Sequence, residues 1–112
     1  MKIFKEISSR FKMKISKEIK TERGVLKYRM PNIIEAYSFL GLIKVLEPGI
    51  NSLTVKGNAI EHLHIFLDYS QLKGVSSYED LLSDVTDMSE SLGEIADEIL
   101  AKALEVFKKK TS

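Results

Sequence analysis

Apolar and polar residues alternate along Phe11-Lys12-Met13-Lys14-Ile15-Ser16 and again along Leu26-Lys27-Tyr28-Arg29-Met30, the two-residue period of a strand with one buried face. Thr21-Glu22-Arg23-Gly24 lies between them as a turn, so residues 11–30 read as a β-hairpin. Its inner face holds Phe11, Met13, Ile15, Ile19, Leu26, Tyr28 and Met30, and parity places the lysines and arginines on the other side. Residues 2–8 fit a further strand or a short helix, with Ile3, Phe4 and Ile7 matching a helical stripe slightly better.

Beyond Pro31 the period lengthens. Asn32 and Glu35 form a capping pair ahead of Ile33, Ile34, Tyr37, Leu40 and Ile43, which predicts a helix over residues 33–46, weakened locally by Gly41 and ended by Pro48-Gly49. Residues 50–57 read as a short extended piece. Asn58 and Glu61 then form a second capping pair for a helix over residues 59–72, with Ile60, Leu63, Phe66 and Leu67 facing inward and Gly74 as the stop. Ser77 and Asp80 cap a short third helix containing Tyr78, Leu81, Leu82 and Val85. Met88, Leu92, Ile95, Ile99, Ala103 and Val106 recur at three- and four-residue steps, the stripe of an amphipathic helix.

Strands first and helices afterwards predict an α+β fold: a small N-terminal antiparallel hairpin or sheet followed by three to four helices packed on it. A lone hairpin is marginal in water, so the helices must cover it or a partner must extend it. No repeat and no long linker divides the chain. Residues 1–112 are therefore expected to form a single domain, with a basic β-rich part over 1–31 and a helical part over 32–110.

With 112 residues, such a core leaves little volume for a deep, dry active site, which tilts the expectation toward binding. The chain has no cysteine, which removes disulfides, thiolate nucleophiles and cysteine-held metals and favours a cytoplasmic location. Met1-Lys2-Ile3-Phe4-Lys5-Glu6 places charges where a signal peptide is apolar, and no stretch approaches the roughly 18 apolar residues of a membrane span. Neither secretion nor membrane insertion is expected.

The net charge of +1 conceals an asymmetry, because residues 1–30 carry ten basic and three acidic side chains, a net +7 that leaves −6 for the rest. Between Tyr78 and Glu105 the acids face only Lys102. Such a dipole permits head-to-tail homo-oligomers, presents a basic face to an anionic partner, or neutralises itself internally. Lys12, Lys14, Lys27 and Arg29 form the candidate basic patch and would track phosphates if the partner were a nucleic acid. Phe11 and Tyr28 fall on the opposite face, so that patch lacks a stacking platform.

Candidate chemistry is sparse. His62-Leu63-His64 would chelate a metal on a strand, whereas on the predicted helix the two rings point apart, so no metal site is assigned. The serines occupy turn and cap positions, with no Gly-x-Ser-x-Gly elbow, and the glycines compose neither a P-loop nor a dinucleotide fingerprint. The acids between residues 79 and 98 lack the spacing and central glycine of an EF-hand. No catalytic residue and no cofactor is assigned, and the expected class is a non-enzymatic protein-binding module.

The layout resembles the tail assembly chaperones of long-tailed bacteriophages and prophages. The resemblance rests on the basic hairpin leading into Tyr28-Arg29-Met30-Pro31-Asn32-Ile33-Ile34-Glu35, and on a helical remainder running to Leu104-Glu105-Val106-Phe107-Lys108-Lys109-Lys110. It implies a viral or prophage protein acting in the host cytoplasm as a holdase for a helical client, the tape-measure protein. It also implies a longer frameshifted form, since Phe and Lys codons make slippery runs. In such a mechanism an apolar groove receives amphipathic helices of the client without hydrolysis. Met88, Leu92, Ile95 and Ile99 are the candidate partner-binding residues, and the competing reading makes the same stripe ordinary core. An adaptor or regulator using the hairpin edge for strand addition, or a nucleic-acid-binding protein using the basic hairpin, are the alternatives.

Overall fold

The computed structural model describes residues 17–83 and 87–111. The first predicted strand segment, residues 11–16 with Lys12 and Lys14, and also Val85, lie outside these residues.

The hairpin forms from β1 (Lys17–Thr21) and β2 (Gly24–Tyr28), antiparallel, with Lys17 opposite Tyr28, Ile19 opposite Leu26 and Thr21 opposite Gly24. Leu26 and Tyr28 turn into the core and Ile19 is half-buried, as the alternation predicts. Two residues, Glu22 and Arg23, make the turn. Thr21 Oγ1 accepts the Arg23 N–H (3.2 Å) and donates to the Gly24 carbonyl (2.9 Å). Gly24 has φ +134°, and a Cβ there would lie 2.5 Å from the Gln71 carbonyl oxygen. The chain around residue 71 therefore lies directly on the hairpin tip, and the Lys73 N–H donates to the Arg23 carbonyl there (2.9 Å).

Helix α1 (Ile33–Ile43) begins at the predicted cap. Asn32 Oδ1 accepts the Glu35 N–H (2.8 Å), and the Glu35 carboxylate accepts the Asn32 N–H (3.1 Å). The helix ends at Lys44 in a left-handed conformation, φ 58°. Helix α2 (Ser52–Glu61) departs from the expectation of an extended piece over residues 50–57. Asn51 is the operative cap, accepting the Thr54 N–H (2.8 Å), and Gly57 sits inside the helix without breaking it. Asn58, expected to start a helix, lies within α2 and donates its side-chain amide to the Ile43 carbonyl at the end of α1 (3.0 Å).

The helix expected over residues 59–72 stops at Glu61. A 3₁₀ turn follows over Leu63–Phe66, then β3 (Leu67–Asp68), which pairs antiparallel with β2 through Lys27 opposite Asp68 and Tyr28 opposite Leu67. Leu63 and Phe66 are both buried, and their three-residue spacing is met by a 3₁₀ turn, whose side chains eclipse every third residue. Pairing with the central strand β2 then overrides any local helical preference. Helix α3 (Tyr78–Leu82) carries the predicted Ser77 and Asp80 capping box, and α4 spans Asp87–Thr111.

The class is α+β, with a three-stranded antiparallel sheet in the order β1-β2-β3 and helices packed on it. The buried stripe of α4 meets α1, α2 and β1. Phe39 of α1 packs edge-on against Phe66 at 5.5 Å, closing the core between α1 and the 3₁₀ turn.

Gly24→Ala should lower stability by about 1–3 kcal/mol, because it forces both a clash and a disfavoured φ. Urea denaturation with an unchanged slope and a lower midpoint is the expected result.

Candidate partner-binding surface

The four residues expected to line a client groove do not reach the surface. Met88, Ile95 and Ile99 are 0% exposed and Leu92 is 2% exposed. The hairpin, α1 and α2 between them need the whole apolar stripe of α4, so it is ordinary core. That corrects the groove assignment.

The basic patch is likewise redistributed. On the outer face of the sheet Lys27 stands between two acids, opposite Glu18 on β1 and opposite Asp68 on β3. The Asp68 carboxyl is held below its usual range by the Ser70 hydroxyl and N–H, with Lys27 contributing. Arg29 is a clamp. Its guanidinium donates two bonds to the Glu35 carboxylate, both 2.6 Å, and one to the Ile65 carbonyl (3.2 Å), and it lies 5.4 Å from the centre of the Phe66 ring. The bidentate bonds hold the Arg29 pKa up and the Glu35 carboxyl low, outweighing burial in each case. The described part of the hairpin therefore presents mixed charge, with Arg29 engaged internally and Lys27 flanked by acids.

The charge dipole is partly consumed inside the molecule. Lys17 on β1 pairs with Glu98 on α4, whose other oxygen accepts the Tyr28 hydroxyl (2.8 Å). Burial and the bond to Glu98 push the Tyr28 phenol up to about 12. Burial alone would raise the Glu98 carboxyl, and the bonds from Lys17 and Tyr28 overcome it and keep the carboxyl low.

The two histidines are separated by their elements rather than by a helical turn. His62 caps α2 with Nδ1 at 2.9 Å from the Asn58 carbonyl, and His64 in the 3₁₀ turn packs on the Tyr78 ring at 5.7 Å. Among the described residues no group of three or more His, Cys, Asp or Glu side chains is placed to hold a metal.

What does reach the surface is apolar. A groove of about 470 Å³ runs between the end of α1, the start of α2 and α4, lined by Val45, Ile50, Leu53, Val55 and Leu100. Leu53 stands at its rim, 82% exposed. The Lys56–Asp97 ion pair (3.2 Å) supplies a polar border between α2 and α4. A long apolar side chain left in water beside an apolar groove is the geometry that a partner's side chains complete. Sequence reasoning passed over Leu53 because the segment read as a strand. Once Asn51 is taken as the cap, Leu53 becomes a lone apolar residue in a polar first turn, Ser52-Leu53-Thr54, and is left largely in water.

In comparisons with protein-family models, with curated proteins and with solved structures, nothing matches the chain. Among the described residues no helix is long and apolar enough to cross a membrane.

Two outcomes test these assignments. Ile95→Ala should destabilise the fold by about 2–5 kcal/mol in thermal or urea unfolding, as for a core residue; a loss below about 1 kcal/mol would return the stripe to the surface. The depressed Glu35 carboxyl contributes stability above its unfolded value near about 4.3, lost as pH falls through the lower folded value. Glu35→Gln should cost about 1–3 kcal/mol at neutral pH and flatten the acid limb of stability against pH.

Proposed function

We propose that the protein is a non-enzymatic protein-binding module that holds an amphipathic helix of its partner in the groove between α1, α2 and α4. Leu53, exposed at the rim of an apolar channel, carries the reading. A client helix would place side chains at three- and four-residue steps along Val45, Ile50 and Leu100, cover Leu53, and leave its polar face beside Lys56 and Asp97. Each anchor buried contributes about 1.5–3 kcal/mol before the cost of association is subtracted. Two or three anchors then give a reversible hold, which suits a holdase that must release its client.

The tail assembly chaperone resemblance supplies the client class: a long helical tape-measure protein in the host cytoplasm, kept from aggregating until the tail tube grows. The mechanism is the one expected from sequence, moved from the α4 stripe to the α2 groove. The adaptor reading draws on β1, the hairpin's edge strand and, with the two-residue β3, one of two edges among the described residues. Exposed Lys17 and Lys20 on that strand are the kind of side chain that discourages added strands. The nucleic-acid reading loses ground to the row Glu18, Lys27, Asp68.

Co-expression with a long helical tape-measure protein tests the proposal. The expected result is a soluble complex whose affinity falls at least about tenfold in Leu53→Asp, with unchanged circular dichroism. A client equally soluble without this chain, or bound equally well by Leu53→Asp, would overturn it.

A further inference from the structure

The outer face of α1 is a second apolar surface, and we infer that it pairs with the same face of a second copy of this chain. It consists of two adjacent ridges at four-residue spacing, Ile33-Tyr37-Gly41 and Ile34-Ser38-Leu42, all exposed. Ile34 is 79% exposed. The only charged residue in the helix, Glu35, is engaged with Arg29, so the helix itself brings no free charge to this face, and Tyr37 rests edge-on against Phe107 of α4 at 5.7 Å. In a two-fold contact each patch meets itself, and any charge near the axis meets its like. This face escapes that penalty.

Gly41 is the second, independent observation. It lies in the last turn of α1 with no positive φ, and a Cβ built there meets nothing within 4 Å. The described residues give no packing reason for a glycine at this position, and glycine lowers helix stability by up to about 1 kcal/mol relative to alanine. A bare backbone on an exposed apolar ridge, beside Ser38, lets another helix approach closely. An antiparallel pairing with the axis between Ser38 and Gly41 sets Ser38 against the partner's Gly41 and Tyr37 against the partner's Leu42. Ile33 and Ile34 also line a notch of about 400 Å³ with Pro31 and Val106 at the start of the helix. Ridges at four-residue spacing interlock at a crossing near −50°.

A contact confined to one face of an 11-residue helix is small for a specific interface, so the pairing is a modest one. Association should therefore depend on concentration.

Sedimentation of the full chain across the micromolar to millimolar range tests this. The expected result is a rise from one to two copies. Gly41→Leu and Ile34→Asp should each weaken it at least about tenfold. Gly41→Leu introduces a better helix former into open space, so at low concentration it should melt no lower than the unaltered chain, which separates lost pairing from lost folding. Leu53→Asp should leave the dimer intact while releasing the client, so failure here and failure of the holdase reading are told apart. A chain that stays single at millimolar concentration, or a dimer that Gly41→Leu leaves untouched, would overturn the inference.

Discussion

The structure depends on burying one side of α4. A helix of 25 residues with Met88, Leu92, Ile95, Ile99 and Ala103 on a single stripe cannot stay in water, and nothing within the helix can cover that stripe. The hairpin brings Leu26 and Tyr28, α1 brings Phe39 and Ile43, and α2 brings Val55 and Ala59 to the same core. The polar contacts follow from that arrangement: Lys17 and Tyr28 converge on Glu98 because β1 and β2 lie against α4, and Lys56 reaches Asp97 because α2 does. Covering α4 leaves apolar side chains exposed on the outer faces of α1 and α2, Ile34 and Leu53 foremost.

Elements governed by local chemistry were legible in the sequence. The caps at Asn32 with Glu35 and at Ser77 with Asp80 form as expected, because a side chain three residues from a backbone N–H needs no tertiary context. The hairpin turn and the α4 stripe are of the same kind. The region from residue 50 to residue 72 was not legible, since two asparagines compete to cap one helix and the outcome depends on the Asn58 amide reaching the end of α1. Nothing in the chain order shows that Leu67 and Asp68 will find β2.

The candidate surface was misplaced for a related reason. A stripe such as that of α4 reads equally as core or groove, and only the elements packed on it decide. The more telling signal lay in α1, whose exposed side carries Ile33, Ile34 and Leu42 and whose only charged residue is Glu35. Ala36, Phe39, Leu40 and Ile43 account for one side only. A helix of that composition is normally enclosed, so its outer half marks an apolar surface that the described residues leave open. The basic hairpin misled in the opposite direction, since Arg29 is bound to Glu35 and Lys27 lies between acids.

Asn58 donates to the carbonyl of Ile43, joining the middle of one helix to the last turn of another. Because of this bond, α2 cannot slide along α1 without losing a partly buried hydrogen bond. The channel beside Leu53 and the face that bears Ser38 and Gly41 are thereby connected, and an influence of one on the other would run through it. Thermodynamic linkage makes such an influence mutual: if occupancy of one side favours or disfavours assembly on the other, assembly alters occupancy by an equal factor.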